Sequence, residues 1–362
     1  MSGVNTLPNP TAVDRSWVNE AIRAIQRESA RSADTHLLHV KFSAFPDIDF
    51  YFKDEASHPT GSLKHRLARS LFLYALCNGR LTDGMSVVDA SSGSTAISEA
   101  WFARMLGLKF TAVMPETTSP GKIEAIRALG GICDLTPAGR CTQARAREIA
   151  ADGACFLDQF GLAERATDWR GNNNIAESIL GQLEKEKHPV PRHIVCGVGT
   201  GGTSATIGRY LRYRMLDTEL TVAEPKGQVF AGGWRTRDRS ASVPCCSVIE
   251  GIGRQNVEPS FQFDVVDRVI EVDDADSIAA MLFLESVLGI RYGGSSGTNL
   301  IACTELAREM RAAGTSGSIV TLLCDRGIRY RETLYDAAWR AQRGIAVDGA
   351  LQAIREALGS HH

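Results

Sequence analysis

The stretch Ile194-Val195-Cys196-Gly197-Val198-Gly199-Thr200-Gly201-Gly202-Thr203 decides the fold class. Its apolar opening reads as a buried strand, the glycines as a tight turn, and residues 202–214 as a helix. A strand followed by a glycine turn and a helix is half of a parallel β-α-β unit. The same turn lets backbone N–H groups crowd around a phosphate, and the helix N-terminus adds partial positive charge. Hydroxyls at Thr200 and Thr203 supply further donors. No Gly-Lys-Ser/Thr follows, so this is not a Walker loop. A monophosphate is the expectation here rather than a dinucleotide. Taken alone, the stretch is equally compatible with a turn that binds nothing.

Outward from it, strand character recurs at 50–53, 86–90, 110–114, 132–135, 220–223 and 319–323. Helical patterns fall between, at 95–106, 121–129, 277–288 and 298–313. This alternation predicts an α/β fold with parallel sheets covered by helices on both faces. Gly107, Gly130 and Gly314 follow apolar helical runs where left-handed C-caps belong. The polar, arginine-bearing stretch 227–244 lacks periodicity and reads as an exposed loop over or beside the site, with Trp234 as a conceivable gate. At 362 residues the chain exceeds one ordinary core, so two packed domains are expected.

Composition excludes several classes. Apolar residues make up 44% and charged residues 23%, the balance of a globular enzyme. A formal charge of −2 gives no reason to expect nucleic acid or an anionic membrane as partner. No apolar run approaches the roughly 20 residues of a membrane span. The start of the chain, with Asn5, Pro8, Asn9 and Asp14, lacks the basic and apolar segments of a secretory signal. A cytoplasmic location is the expectation. The nine cysteines are an odd number without Cys-x-x-Cys spacing, which argues against a disulfide framework and against a metal site. Cys77, Cys196 and Cys324 read as small buried core residues. Cys245-Cys246 is an adjacent pair in a polar loop, and the terminal His361-His362 reads as a frayed tail.

Three further segments carry chemistry. In His58-Pro59-Thr60-Gly61-Ser62-Leu63-Lys64-His65-Arg66, a lysine follows a turn and opens an apolar helical pattern. Its amine can form a Schiff base with an aldehyde when its surroundings lower its pKa, although a lysine beside a turn is ordinarily a surface residue. Ser91-Ser92-Gly93-Ser94-Thr95 lies between a strand and a helix, suited to a carboxylate or to simple N-capping. Gly293-Gly294-Ser295-Ser296-Gly297-Thr298 is a third such turn.

In combination these segments resemble the cysteine synthase and cystathionine β-synthase family of pyridoxal-phosphate enzymes, from about residue 33 to 335. Tyr51-Phe52-Lys53-Asp54-Glu55, Met114-Pro115-Glu116-Thr117-Thr118-Ser119, Ala128-Leu129-Gly130-Gly131, Asp158-Gln159-Phe160 and Glu250-Gly251-Ile252-Gly253 look like its motifs. Asp325, Gly327, Arg329 and Tyr330 echo its C-terminal run. The run from His58 to Gly79 looks most like the actinobacterial L-cysteine desulfhydrase branch. The resemblance implies the tryptophan synthase β-like fold (fold type II), with two domains each built on a largely parallel sheet. Residues 45–165 would form an N-terminal domain, and 1–44 with 166–362 a C-terminal one.

It also implies roles. Lys64 would carry pyridoxal 5'-phosphate and act as the catalytic base. Gly199, Thr200, Gly201, Gly202 and Thr203 would cradle the phosphate. Ser295 would face the ring nitrogen, where a hydroxyl does not hold a proton as a carboxylate would, leaving a moderate electron sink. Ser91, Ser92, Gly93, Thr95 and Gln159 would hold the substrate carboxylate. Ser94 stands where the family has an asparagine contacting the cofactor's phenolic oxygen. His65 and Arg326 are further departures, at family aspartate and serine positions. The implied reaction is β-elimination on L-cysteine giving sulfide, pyruvate and ammonia. Its rival is β-replacement, which needs room for a second substrate around Ser94, His65, Asp168 and Arg170. A non-catalytic cofactor-binding regulator is the remote alternative, supported by Ser94 and opposed by Lys64. The resemblance implies a homodimer.

Overall fold

The computed structural model describes residues 15–32, 34–171, 174–244 and 247–360. The N-terminal residues read for a signal, Asn172-Asn173, Cys245-Cys246 and His361-His362 lie outside the described residues. Ten strands form two sheets: β1 (His36–Val40), β2 (Ile48–Asp54), β3 (Val87–Ala90), β4 (Phe110–Pro115), β5 (Ile132–Thr136), β6 (Cys155–Phe156), β7 (His193–Gly197), β8 (Glu219–Pro225), β9 (Arg268–Val272) and β10 (Gly317–Leu323). The larger sheet runs β1-β2-β10-β7-β8-β9 and the smaller β5-β4-β3-β6. Every pairing is parallel except β1 with β2.

The central strand β10 lies between β2 and β7, and all its residues are buried, which is why it reads as a continuous apolar run. The expected strands all form. Three others escaped the pattern. β1 and β9 lie at sheet edges, where polar or charged residues interrupt the alternation, and β6 has only two residues.

The smaller sheet is covered by α1 (Ser16–Ala30), α2 (Lys64–Cys77), α3 (Ser94–Met105), α4 (Pro120–Arg127), α5 (Thr142–Ala151) and α6 (Gln159–Ala166). Ala21 and Ile25 of α1 join Leu71, Phe72, Phe102 and Phe110 in one core. The larger sheet is covered by α7 (Ile175–Leu183), α8 (Gly202–Tyr213), α9 (Val229–Thr236), α10 (Asp274–Leu288), α11 (Gly294–Ala312), α12 (Ala337–Gln342) and α13 (Asp348–Leu358). Its two faces bury Phe42, Phe50 and Phe52 on one side and Tyr51, Ile194 and Val222 on the other. β2 pairs with β10 in the larger sheet, while α1 packs on α2 beside the smaller one.

The stretch read as an exposed loop contains α9, whose Val229, Phe230 and Ala231 are buried. The Glu224 carboxylate accepts the Phe230 N–H at 3.1 Å and the Ala231 N–H, satisfying the helix start. Gly232-Gly233 hides the helix from a periodicity reading. Trp234 does not line the cavity beside Lys64: its indole N–H serves the carbonyls of Phe263 and Val266, both at 3.2 Å, and its partly buried ring packs against a core of the larger sheet.

Helices α10 and α11 cross closely at Gly297, where a Cβ would meet the Ser277 carbonyl oxygen at 1.9 Å. Thr298 donates to the Ser277 hydroxyl at 2.8 Å beside it. Gly297→Ala is expected to lower stability by about 1–3 kcal/mol through overpacking, read as a shift of the urea unfolding midpoint. An unchanged midpoint would refute the close crossing.

Candidate active site

The turn before Lys64 is stitched to the end of β10. Gly61 takes a left-handed φ of 71° and donates to the His58 carbonyl at 2.7 Å. Ser62 bridges to Asp325, and the Leu63 N–H reaches the Cys324 carbonyl at 2.9 Å. Lys64 then opens α2, held in the crevice between the two sheets. Burial lowers the pKa of its amine, and the Arg254 charge pushes the same way against Cys324 and Asp325. A desolvated lysine amine is the form that attacks a carbonyl and accepts a proton.

Lys64 lines a cavity of about 500 Å³ together with Ser91, Ser92, Gly93, Ser94, Thr95, Gln159, Gly199, Thr200, Gly201, Thr203 and Ser295. Helices α3, α8 and α11 all begin at its wall, so three sets of backbone donors and three positive dipole ends serve it. Gly201 has φ 89°, and a Cβ there would strike the Phe261 Cα at 2.4 Å. Gly202 is the exception among the expected residues. It faces Ala163, lines the neighbouring cavity instead, and gives its N–H to the Thr200 hydroxyl at 3.2 Å.

The carboxylate loop is internally organised. The Ser91 hydroxyl accepts the N–H groups of Gly93 at 3.4 Å and Ala96 at 3.3 Å, so capping and ligand binding draw on the same residue. The Gln159 side chain donates to the Ala90 carbonyl at 3.0 Å. The Ser94 hydroxyl accepts from Arg329, whose other terminal nitrogen donates to the Thr60 carbonyl at 2.7 Å. One guanidinium thus ties the loop to the turn before Lys64. At the other end, Ser295 is buried within hydrogen-bonding reach of the Cys324 thiol.

Sequence reasoning missed part of the lining. Lys122, Thr142, Gln143 and Arg254 form an outer, polar vestibule with Glu250. Lys122 of α4 pairs with Glu250 at 2.7 Å, joining the two lobes across the opening. Both are partly exposed, so the pair contributes less than about 1 kcal/mol. Arg254 bonds Glu258 at 2.6 Å and stacks on Phe160. Nothing in the spacing of Lys122 or Arg254 distinguishes them from surface residues.

The residues expected around a second substrate do not converge. His65 is buried, bonded to Glu28 at 3.1 Å and Thr60 at 3.3 Å; Asp168 lines the neighbouring cavity; Arg170 is exposed over Trp169. Of the four, Ser94 lines the cavity of about 500 Å³ and Asp168 the neighbouring one, and Lys64 lines both. Cys196 and Cys324 are buried as expected, Cys324 also lining the cavity, but Cys77 is exposed.

Residues 31–325 match the family model described as pyridoxal-phosphate dependent enzyme. The chain belongs to that family. It is 52% identical over 350 residues to the L-cysteine desulfhydrase Cds1 of Mycobacterium tuberculosis, covering 95% of each chain. It is 30% identical over 308 residues to cysteine synthase 1 of Neurospora crassa, covering 81% of this chain and 78% of that one. Among solved structures, O-ureido-L-serine synthase superposes with a TM-score of 0.75 at 26% identity, over 89% of this chain and 98% of that one. These relatives share fold type II.

The residues present fit pyridoxal phosphate. The cavity joins a desolvated amine at one wall, a glycine-rich helix start with threonine hydroxyls at another, and a buried serine at a third. That donor set suits an aldehyde, a phosphate and a ring nitrogen respectively.

The depressed pKa of Lys64 has a thermodynamic consequence in the cofactor-free protein. Below the folded-state pKa the cost of holding the ammonium is present in full. It fades as pH rises through the window between the folded value and the ordinary lysine value of about 10.4, because the unfolded chain there binds the extra proton. Lys64→Met is therefore expected to stabilise the apoprotein most on the acid side of that window and not at all above it. Denaturant melts at several pH values test this, and a pH-independent difference would contradict it.

Proposed function

We propose that this chain is a pyridoxal-phosphate-dependent lyase that converts L-cysteine to sulfide, pyruvate and ammonia. The observation that carries the reading is the 52% identity to an L-cysteine desulfhydrase over 95% of both chains, with Lys64 set in the interlobe cavity. The bound cofactor supplies an electron sink that makes the substrate's Cα proton acidic and lets the β-substituent leave.

The chain's own residues supply the rest. Lys64 is the base that takes the Cα proton, its desolvated amine being disposed to receive one. The donors of Ser91, Ser92, Gly93 and Thr95 at the start of α3, with Gln159, hold the substrate carboxylate, which fixes the Cα–H bond toward Lys64. The N-terminus of α8, with Thr200 and Thr203, would hold the phosphate, and Ser295 would serve the ring nitrogen. Arg329 fixes Ser94 and the Thr60 turn together, so the carboxylate loop and Lys64 keep one relative position.

β-Replacement shares every step up to loss of the β-substituent. The polar vestibule of Lys122, Gln143 and Glu250 favours keeping it as the second reading, since it offers room and charge for an acceptor. The reading also includes a homodimer, implied by the family resemblance, and a cytoplasmic location, the expectation drawn from the sequence composition. Among the described residues no helix is long and apolar enough to cross a membrane.

Purified protein loaded with pyridoxal phosphate is expected to release sulfide and pyruvate in equal amounts from L-cysteine alone. Sulfide without pyruvate, appearing only with an added thiol acceptor, would establish replacement instead. Lys64→Ala is expected to lose visible cofactor absorbance and at least about a hundredfold in turnover. Unchanged turnover in that variant would overturn the assignment.

A further inference from the structure

Two carboxyl side chains meet in the interior beneath the carboxylate loop, and neither belongs to the machinery described so far. Asp89, near the end of β3, and Glu99, in the second turn of α3, are both fully buried, and their carboxyl groups interact with each other. Two carboxylates cannot both stay ionised in such a place, and a hydrogen bond between them requires a proton on one. Asp89 spends both oxygens on backbone donors: one accepts the Ala90 N–H at 2.7 Å, the other the Gln159 N–H at 3.2 Å. Both Glu99 oxygens are buried and meet no donor among the described residues. The proton therefore belongs on Glu99, whose hydroxyl donates to Asp89. Burial supports this order, pushing Asp89 up to about 6 and Glu99 well above the usual carboxylate range.

The connections run to both halves of the carboxylate site. Ala90 and Gln159 are the residues that Asp89 holds by their N–H groups, and the Gln159 side chain returns to the Ala90 carbonyl at 3.0 Å. Ala90 leads directly into Ser91, and Glu99 rides on the helix that Ser94 begins. β3, α3 and α6 are thereby locked to one another at the point where the loop and Gln159 face the cavity.

We propose that Glu99 is a positioning residue for substrate recognition, a neutral acid that donates to Asp89 and so sets the spacing between the Ser91–Thr95 loop and Gln159. The proposal rests on reading that loop as the holder of the substrate carboxylate. It does not require the substrate to be cysteine. It assigns Glu99 to affinity and not to the chemical step, since Glu99 does not line the cavity.

The chemistry separates three substitutions. Glu99→Gln keeps a donor toward Asp89 through its amide NH₂. Glu99→Leu keeps bulk but removes the donor, so Asp89 loses one of three hydrogen bonds. Asp89→Asn sets an NH₂ against a backbone N–H that now has no acceptor, a change that the carboxamide cannot avoid by flipping.

The test uses the holoenzyme and two readouts. One is KM and kcat for L-cysteine. The other is binding of propionate, a bare carboxylate, followed by its perturbation of the cofactor absorbance. Glu99→Leu is expected to raise KM and the propionate dissociation constant together by about tenfold, the value of one hydrogen bond to a charged group, with kcat within about twofold. Glu99→Gln should restore both to within about twofold of the parent, and Asp89→Asn should be at least as impaired as Glu99→Leu. Equal impairment of Glu99→Gln and Glu99→Leu would overturn the proposal, as would a loss confined to kcat. If Glu99→Leu does not fold, Glu99→Gln decides alone: parent-like propionate binding upholds the donor role, and a tenfold loss refutes it. Should cysteine prove not to be the substrate, the propionate readout still stands, so the two failures are distinguishable.

Discussion

A buried ion pair between Glu55 and Arg66 holds the active lysine where it is. Glu55 follows β2 and is fully buried; Arg66 lies two residues after Lys64 and meets it at 2.7 Å through Nε. Burial alone would push the Glu55 carboxyl up, but Arg66 and His58 hold it well below its ordinary range, so the charge is kept. Asp34 binds the same guanidinium at 2.8 Å, and Thr35, Lys53 and Gln182 complete the network. An isolated buried pair of this kind is a doubtful source of stability, because desolvation offsets the attraction. Its worth here is geometric: it ties the start of α2 to the end of β2 in the larger sheet.

That anchorage explains how Lys64 can be a base at all. Burial acts on the lysine more strongly than any one charge, with Cys324 and Asp325 opposing it and Arg254 reinforcing it. The turn carrying it is clamped on its other side by Ser62 with Asp325 and by Arg329 with the Thr60 carbonyl. Asp325 in turn takes the Tyr330 hydroxyl at 2.6 Å. The lysine is thus held by the larger sheet although its helix packs in the core of the smaller one.

This division also marks what was legible in the sequence. Glycine turns between strands and helices announced three helix starts, because backbone approach at such places admits few other residues. All three line one cavity. The loops were legible; their connections were not. Arg329 reaching Ser94 and Lys122 reaching Glu250 are contacts between elements far apart in sequence, set by tertiary packing with no local periodicity. The second-substrate residues were misplaced for the same reason. His65 follows Lys64 directly, yet a helix turns successive residues about 100° apart, so the two face different environments. The hidden helix α9 is a different failure, two glycines masking an element that its buried Val229 and Phe230 hold in place.

The two buried acidic centres are built in opposite ways, and the difference follows from what each must sit beside. Glu55 is matched by Arg66 in a full ion pair. Asp89 lies behind the loop assigned to a carboxylate, where no cation compensates it, and a second negative charge would oppose the ligand. Sharing a proton with Glu99 keeps that centre to one charge, and the two backbone N–H groups spread it further. A leucine at position 99 would also have avoided the second charge, but it would have left Asp89 short of a donor in a place closed to water. A protonated acid satisfies both demands at once: it adds bulk and a hydrogen bond without adding charge.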